Sequence, residues 1–296
     1  MEVANTQTGS ARERFSGFAL LLSIFSVVWF VIAAFGTKFG LWSWQFGLGK
    51  MTMAWGPPLV MLAVGLSVAA LIVALLKAPR KRAVMLALGA LLVSGLVFGR
   101  LAGAGAQAAA LPPLHDIQTN WADPVKPTAA LLEARAKGGA LNGIEDAPKI
   151  ESAADGRWPG LGGRLVSEVQ EDAEFDTATH KDPDEKPYPT LETQVSPVPF
   201  DVTFKTVEGI VRARGWDVVT VDSKAGIIEA TETSFAFGFK DDVMIRFRPV
   251  DGVAAIDIRS TSRVGLSDLG ANAKRISNLQ EDIRRSLSAA ASPPPG

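Results

Sequence analysis

The fold is decided between Val243 and Ser262, in the stretch VMIRFRPVDGVAAIDIRSTS. Before Asp251-Gly252, the residues Val243, Ile245 and Phe247 alternate with Met244, Arg246 and Arg248; after it the alternation resumes and runs to Ser262. Side chains of period two belong to a strand with one apolar face, and Asp-Gly is a preferred two-residue hairpin turn. Such a turn pairs Val250 with Val253. Counting back sets Phe247 against Ile256 and Ile245 against Ile258 on one face, with Arg246 against Asp257 and Met244 against Arg259 on the other. Apolar residues then meet apolar ones and Arg meets Asp, as a correct register requires.

Working outward, Trp216 to Val221 and Ile227 to Ser234, joined through Ser223 and Gly226, read as a second hairpin. Upstream, Asp201 is placed to cap a helix with Phe204, Val207, Ile210 and Val211 on one face, and Gly215 to end it. Downstream, Ile276, Leu279, Ile283 and Leu287 form the stripe of a helix from about Ala271 to Leu287. The order helix, four strands, helix predicts an α+β domain over residues 200–288, an antiparallel four-stranded sheet with helices on one face. The other face would carry Arg246, Arg248, Asp257 and Arg259, covered by solvent or by the preceding segment. Residues 289–296 are expected to form a disordered tail.

The preceding segment, residues 104–199, is acidic and holds eleven of the chain's eighteen prolines. Proline removes a donor and disfavours helix in the residue before it. Extended chain is expected there, with short helical pieces at Ala129 to Lys137 and Val166 to Phe175.

The N-terminal region is of another kind. Residues 18–35, 58–76 and 83–101 are three apolar runs near the roughly 20 residues needed to cross a bilayer core. They predict a three-helix membrane anchor over 18–103, following a cytoplasmic N-terminus of residues 1–17. Lys77, Arg80, Lys81 and Arg82 crowd the link between the second and third spans, and Arg12 and Arg14 precede the first. By the positive-inside rule both regions are cytoplasmic, which places everything after the third span on the far side. In the third span Gly95, Gly99 and Gly103 recur every four residues, a stripe that allows close helix approach. Packing within the bundle is the expected use, and homo-oligomerisation through the stripe is an alternative.

Charge follows the same partition. The first 110 residues hold nine Lys/Arg and two Asp/Glu, residues 111–199 hold eight and sixteen, and the remainder thirteen of each. Nowhere is there the basic face of a nucleic-acid binder. The chain has no cysteine, which excludes disulfides, thiol nucleophiles and Cys-ligated metals, and its only histidines are His115 and His180. No metal or cofactor is expected.

Further residues are distinctive together. Phe237-Gly238-Phe239-Lys240-Asp241-Asp242, then Asp257-Ile258-Arg259-Ser260, then the run Ser262-Arg263-Val264-Gly265-Leu266-Ser267-Asp268-Leu269-Gly270-Ala271-Asn272-Ala273-Lys274-Arg275-Ile276, form one pattern, with Leu114-His115-Asp116-Ile117 and Gly215-Trp216 as outlying markers. This pattern resembles the bacterial domain-of-unknown-function family numbered 1499, over roughly residues 110–287. The resemblance implies a membrane-associated or exported bacterial domain, with relatives in chloroplasts, and no known reaction.

Candidate functional residues follow from chemistry. Arg259, Arg263, Ser267, Asp268, Asn272 and Arg275 combine arginines with a helix start, an arrangement able to hold a phosphate or carboxylate. Secondary candidates are Asp241, Asp242, Arg246, His115 and Asp116. Asp241 and Asp242 are adjacent and would point to opposite faces of a strand, so spacing alone does not make them an acid/base pair. His115-Asp116 lacks an identifiable nucleophile, and no catalytic residue can be assigned. The expected function is therefore a multi-pass protein of the bacterial inner membrane whose periplasmic domain binds an envelope protein or a small anionic ligand. The alternatives are a membrane-anchored hydrolase built on Arg259, Arg263, Asp268 and Asn272, and a purely structural membrane component.

Overall fold

A computed structural model of the chain describes residues 10–174 and 186–291. His180, the first nine residues of the expected cytoplasmic N-terminus and the end of the expected tail lie outside the described residues. The chain divides into two compact units, residues 1–106 with 235–238, and residues 107–234 with 239–296.

The first unit contains the helices α1 (Ala11–Lys38), α2 (Gly56–Leu75) and most of α3, which starts at Lys81 and runs on to Ala110. Ser10 caps α1 by accepting a hydrogen bond from the Glu13 N–H at 3.3 Å. Pro57 and Pro58 occupy the first turn of α2, where a missing N–H costs nothing. The connection between α1 and α2 is largely helical, because Gln45–Trp55 winds as a π-helix directly into α2. Ala11–Lys38, Gln45–Leu75 and Lys81–Ala110 are each long and apolar enough to cross a membrane.

Small residues make the bundle's seam. Ala19, Ala70, Ala87 and Ala90 form its buried cluster. Beside them Ser23, Ser67 and Ser94, one from each helix, bring their hydroxyls together at 3.3 and 3.4 Å. Each hydroxyl also donates to a carbonyl one turn back, at 2.7 to 2.9 Å, so it has a partner in an apolar surrounding. The glycine stripe does not serve this packing. A Cβ added at Gly95, Gly99 or Gly103 would meet nothing within 4 Å, and the buried seam of α3 is Ala83, Ala87, Ala90 and Ser94 instead. The expectation of glycine packing inside the bundle is corrected accordingly.

The second unit is α+β. Its elements are β1 (Asp116–Gln118), α4 (Ala129–Lys137), α5 (Val166–Asp172), β2 (Gln194–Pro199), α6 (Phe200–Ala213), β3 (Asp217–Asp222), β4 (Ile227–Thr233), β5 (Lys240–Val250), β6 (Val253–Ser262) and α7 (Ala271–Ala291). The sheet has six strands, not four, and all its pairings are antiparallel. The β5–β6 register is the one derived above, with Val250 opposite Val253, Phe247 opposite Ile256, Ile245 opposite Ile258, Arg246 opposite Asp257 and Met244 opposite Arg259. The two additional strands come from the proline-rich segment. β1 pairs with Arg259–Thr261 and β2 with Val253–Ile256, so both lie along the same edge of β6. β2 tolerates Pro197 and Pro199 because it is an edge strand with an irregular register.

On one face α6 and α7 cover Ile228, Ala230, Val243, Ile245, Phe247, Ile256 and Ile258 with Phe204, Val207, Val211, Ile276, Leu279, Ile283 and Leu287. All of these are buried, and fully burying such a side chain is worth about 1.5–3 kcal/mol before conformational entropy is counted. Pro199 occupies the cap position of α6, with Asp201 in the first turn, where its charge suits the helix dipole; Asp201 is not the cap. Gly215, at φ +70°, ends that helix as expected. α7 runs on to Ala291, beyond the expected start of the tail. The second face carries α4 and the chain around it, so the helices do not all lie on one side; Val125, Leu131 and Met244 form a small apolar cluster there.

Candidate functional site

The pleat of the sheet decides where the candidate residues go. Across β4, β5, β6 and β1, two rows of residues share the α4 face. One runs Glu229, Met244, Arg259, Gln118 and the other Thr231, Asp242, Thr261, Asp116. Residues one position away, including Glu232, Asp241, Ser260 and Ser262, point to the α7 face. The residues expected to form one anion site are thus divided between opposite sides of the sheet.

On the α4 face, Arg259 is fully buried and donates from Nε and Nη2 to the two oxygens of Asp116 at 2.9 and 2.5 Å. Its remaining hydrogen bonds go to the carbonyls of Val125 at 3.0 Å and Glu145 at 2.6 Å, and its guanidinium carbon lies 5.7 Å from the centre of the Trp121 ring. Arg263 forms a second fork, to Asp242, at 2.9 and 2.7 Å. It donates further to Thr231 Oγ1 and to the carbonyl of Ala134. Arg135 joins from α4, with Nη1 2.5 Å from Asp242 and Nη2 2.7 Å from the Asn142 carbonyl. Burial holds the Arg135 guanidinium below its ordinary pKa, and Asp242 works against that. Glu229, fully buried, accepts from the backbone N–H of Thr128 at 2.7 Å and from its hydroxyl; Thr128 is the cap of α4.

Arg259 therefore pairs with Asp116, and Arg135 and Arg263 share Asp242, while Glu229 on the same face is held by Thr128. The face thus carries three arginines and three carboxylates, none more than 4 % exposed. Desolvating ions costs several kcal/mol each, so such a layer persists only with good geometry and satisfied hydrogen bonds, both of which are present.

On the α7 face, Arg275 binds the carboxylates of Glu232 and of Asp241, the latter at 2.6 Å, and donates also to Ser260 Oγ and Asn272 Oδ1. Burial alone would lower the Arg275 pKa, but the two carboxylates raise it above the ordinary value. Asn272 ties Ser260, Ser262 and the His115 carbonyl to the start of α7. Asp268 accepts from the N–H groups of Gly270 at 2.7 Å and Asn272 at 2.9 Å, closing the helix start. Burial pushes its carboxyl up to about 6, with the charge of Asp241 adding to the rise and the two backbone bonds opposing it. Ser267 Oγ accepts from the Leu269 N–H at 3.3 Å in the same turn.

The remaining candidates are separate. Arg246 binds Asp257, at 2.8 Å, and Asp123, at 3.0 Å. Asp257 also takes bonds from Arg248 and Thr193; burial would raise its pKa, but these bonds hold it below the usual carboxylate range. His115 is half-buried, and desolvation lowers its imidazole below the ordinary value. Its sequence neighbour Asp116 is committed to Arg259, so the two do not act as a pair. Among the described residues no group of three or more His, Asp or Glu side chains is placed to hold a metal ion.

Sequence reasoning missed Arg135, Glu229 and Thr128. Arg135 had a signal, since it stands four residues after Leu131 and so shares the buried stripe of α4. A cleft of about 450 Å³ also went unforeseen, bounded by Asn120, Trp121, Gln170, Lys186, Thr190 and Glu192 among others.

The part of this hydrogen-bonded core that runs from β4 to the start of α7 falls within a family match. Residues 164–283 match the DUF1499 family model, described as a protein of unknown function. The DUF1499 match begins before α5 and ends within α7. It leaves the three apolar N-terminal helices, β1 and α4 outside, although β1 and α4 supply Asp116 and Arg135 to the charges on the sheet. Comparison with curated proteins finds no match.

Proposed function

We propose that this chain is a membrane-anchored binding protein of the bacterial cell envelope, with its three helices in the inner membrane and its DUF1499 region in the periplasm. The observation that carries the binding part is the closure of the charged residues. The candidate arginines Arg259, Arg263 and Arg275, and Arg135 with them, are each engaged by a carboxylate inside the domain. A hydrolase built on Arg259, Arg263, Asp268 and Asn272 needs them to line one cavity, yet Arg259 and Arg263 serve one face of the sheet and Asp268 and Asn272 the other. Their arrangement favours recognition by the surface over chemistry in the core.

Of the two partners open to such a domain, an envelope protein and a small anion, the first fits better. The Trp121 cleft offers an aromatic ring with amide, hydroxyl and mixed charged groups, Lys186 against Glu171 and Glu192. The periplasmic placement is supported by the cations at 77–82, which favour the cytoplasmic side. A photo-crosslinking side chain placed at Asn120 or Thr190 in cells should give a discrete adduct, and one placed at exposed Lys274 should not. Absence of any adduct from the cleft positions, or equal labelling from Lys274, would contradict the reading. A purely structural membrane component predicts that deleting the DUF1499 region leaves the phenotype of the full chain unchanged.

A further inference from the structure

In the first unit, the end where α2 turns into α3 is cationic and borders a groove. Lys77, Arg80, Lys81 and Arg82 put four cations into six positions, and none forms an ion pair among the described residues. A groove of about 370 Å³ opens directly beneath two of them, lined by Leu20, Lys81, Arg82, Met85 and Leu86. Its volume lies in the range of small-ligand pockets. Its walls are apolar side chains of α1 and α3, and its rim is cationic.

The rim is also held in place. Arg12 of α1 donates to the carbonyls of Lys77 and, at 3.3 Å, Ala78, which fastens the start of α1 to the turn. Below the groove α1 and α3 touch through Ala19, Ala87 and Ala90, and an added Cβ at Gly89 would lie 3.7 Å from Leu20. α3 begins at Lys81, so the positive end of its dipole and its unpaired first N–H groups face the same rim as the side chains.

We infer that this groove binds one anionic glycerophospholipid, its phosphate under Lys81 and Arg82 and part of an acyl chain against Leu20, Met85 and Leu86. The two halves of the groove match the two halves of such a lipid. An unpaired cation cluster selects a headgroup of net negative charge over a zwitterionic one, whose ammonium it repels. The apolar wall selects an acyl chain over a soluble phosphate. The inference is independent of what the DUF1499 region binds.

The full chain, purified in a non-ionic detergent, is titrated with phosphatidylglycerol or phosphatidylcholine and followed by native mass spectrometry. One phosphatidylglycerol should be retained, with at least tenfold preference over phosphatidylcholine. The double substitution K81Q/R82Q should reduce that preference to nearly none, whereas K38Q/K50Q, which removes two charges away from the groove, should leave it intact. L20W should block retention without changing any charge; if it abolishes the cooperative melt, M85W takes its place. Equal retention of both lipids would overturn the inference. So would displacement by millimolar inorganic phosphate, or a groove-filling variant that binds normally, which would reduce the effect to a free anion or to surface charge.

Discussion

Arg263 clamps Asp242, with Nε and Nη2 at 2.9 and 2.7 Å from the two carboxylate oxygens, while Arg135 approaches the same carboxylate from α4 at 2.5 Å. One aspartate thus pairs with two buried guanidinium groups. Asp242→Asn should therefore be among the most destabilising single changes in the domain, by about 3–5 kcal/mol. For a domain of this size that is roughly a 10 °C fall in melting temperature, readable on the full chain in detergent. Its neighbour gives the contrast. Asp241→Asn leaves Arg275 its second carboxylate, Glu232, and should cost only about 1 kcal/mol. Equal losses would mean that the two carboxylates are not divided between the faces as described.

Backbone geometry supplies a second test. Gly226 sits at φ +66° in the β3–β4 turn, and a Cβ there would fall 2.4 Å from the Phe247 carbonyl oxygen. Gly139 has a similar φ, +69°, with nothing within 4 Å. Gly139→Ala should cost about 1 kcal/mol from strain alone, and Gly226→Ala clearly more, because the adjoining strand must move as well. Thermal melts of the two variants would rank them.

These residues also show what a sequence can and cannot reveal. The β5–β6 register was legible because an Asp-Gly turn fixes it and each face is chemically uniform. α4 was legible, with its bounds, and the buried stripe of α7 was too. β1 and β2 were not, since one has three residues and the other two prolines, and neither forms without the edge of β6. The charged cluster was legible as a set of residues but not as an arrangement. Arg259 and Ser260 are neighbours in sequence, yet the pleat sends them to opposite faces, and the carboxylate for Arg259 comes from Asp116, 143 positions away.

Acidity gives a third expectation. The Asp268 carboxyl is pushed up to about 6 from an ordinary 3.8, chiefly by burial, so the folded state holds its proton more tightly than the unfolded chain. Its contribution to stability is complete below pH 3.8 and is lost as pH rises through 6. Asp268→Asn keeps one of the two backbone bonds at the helix start, a loss that does not vary with pH, and removes the titration. The stability of the native chain relative to this variant should accordingly decline between pH 4 and 7. Asp257 acts in the opposite sense. Its carboxyl is held low, so its contribution is present above pH 3.8 and is lost as pH falls through its depressed value. Melting curves of both chains from pH 3 to 7 separate the two effects.

The orientation proposed for the anchor has its own readout. Alkaline phosphatase, active only outside the cytoplasm, should be active when fused after Ala291 and inactive when inserted between Lys77 and Lys81. The reverse pattern would place the DUF1499 region in the cytoplasm.

The central claim is that the arginine face of the sheet is a closed, charge-balanced core and not a ligand site. A double-substitution cycle on Asp116 and Arg259 tests it most directly, by melting the full chain in detergent. Arg259→Met and Asp116→Leu should each lower stability by about 3–5 kcal/mol, because each strands a buried charge, while the double variant should recover most of the loss. If Arg259→Met leaves the melting temperature unchanged, or the two losses simply add, Arg259 is not paired in a closed core and the account fails.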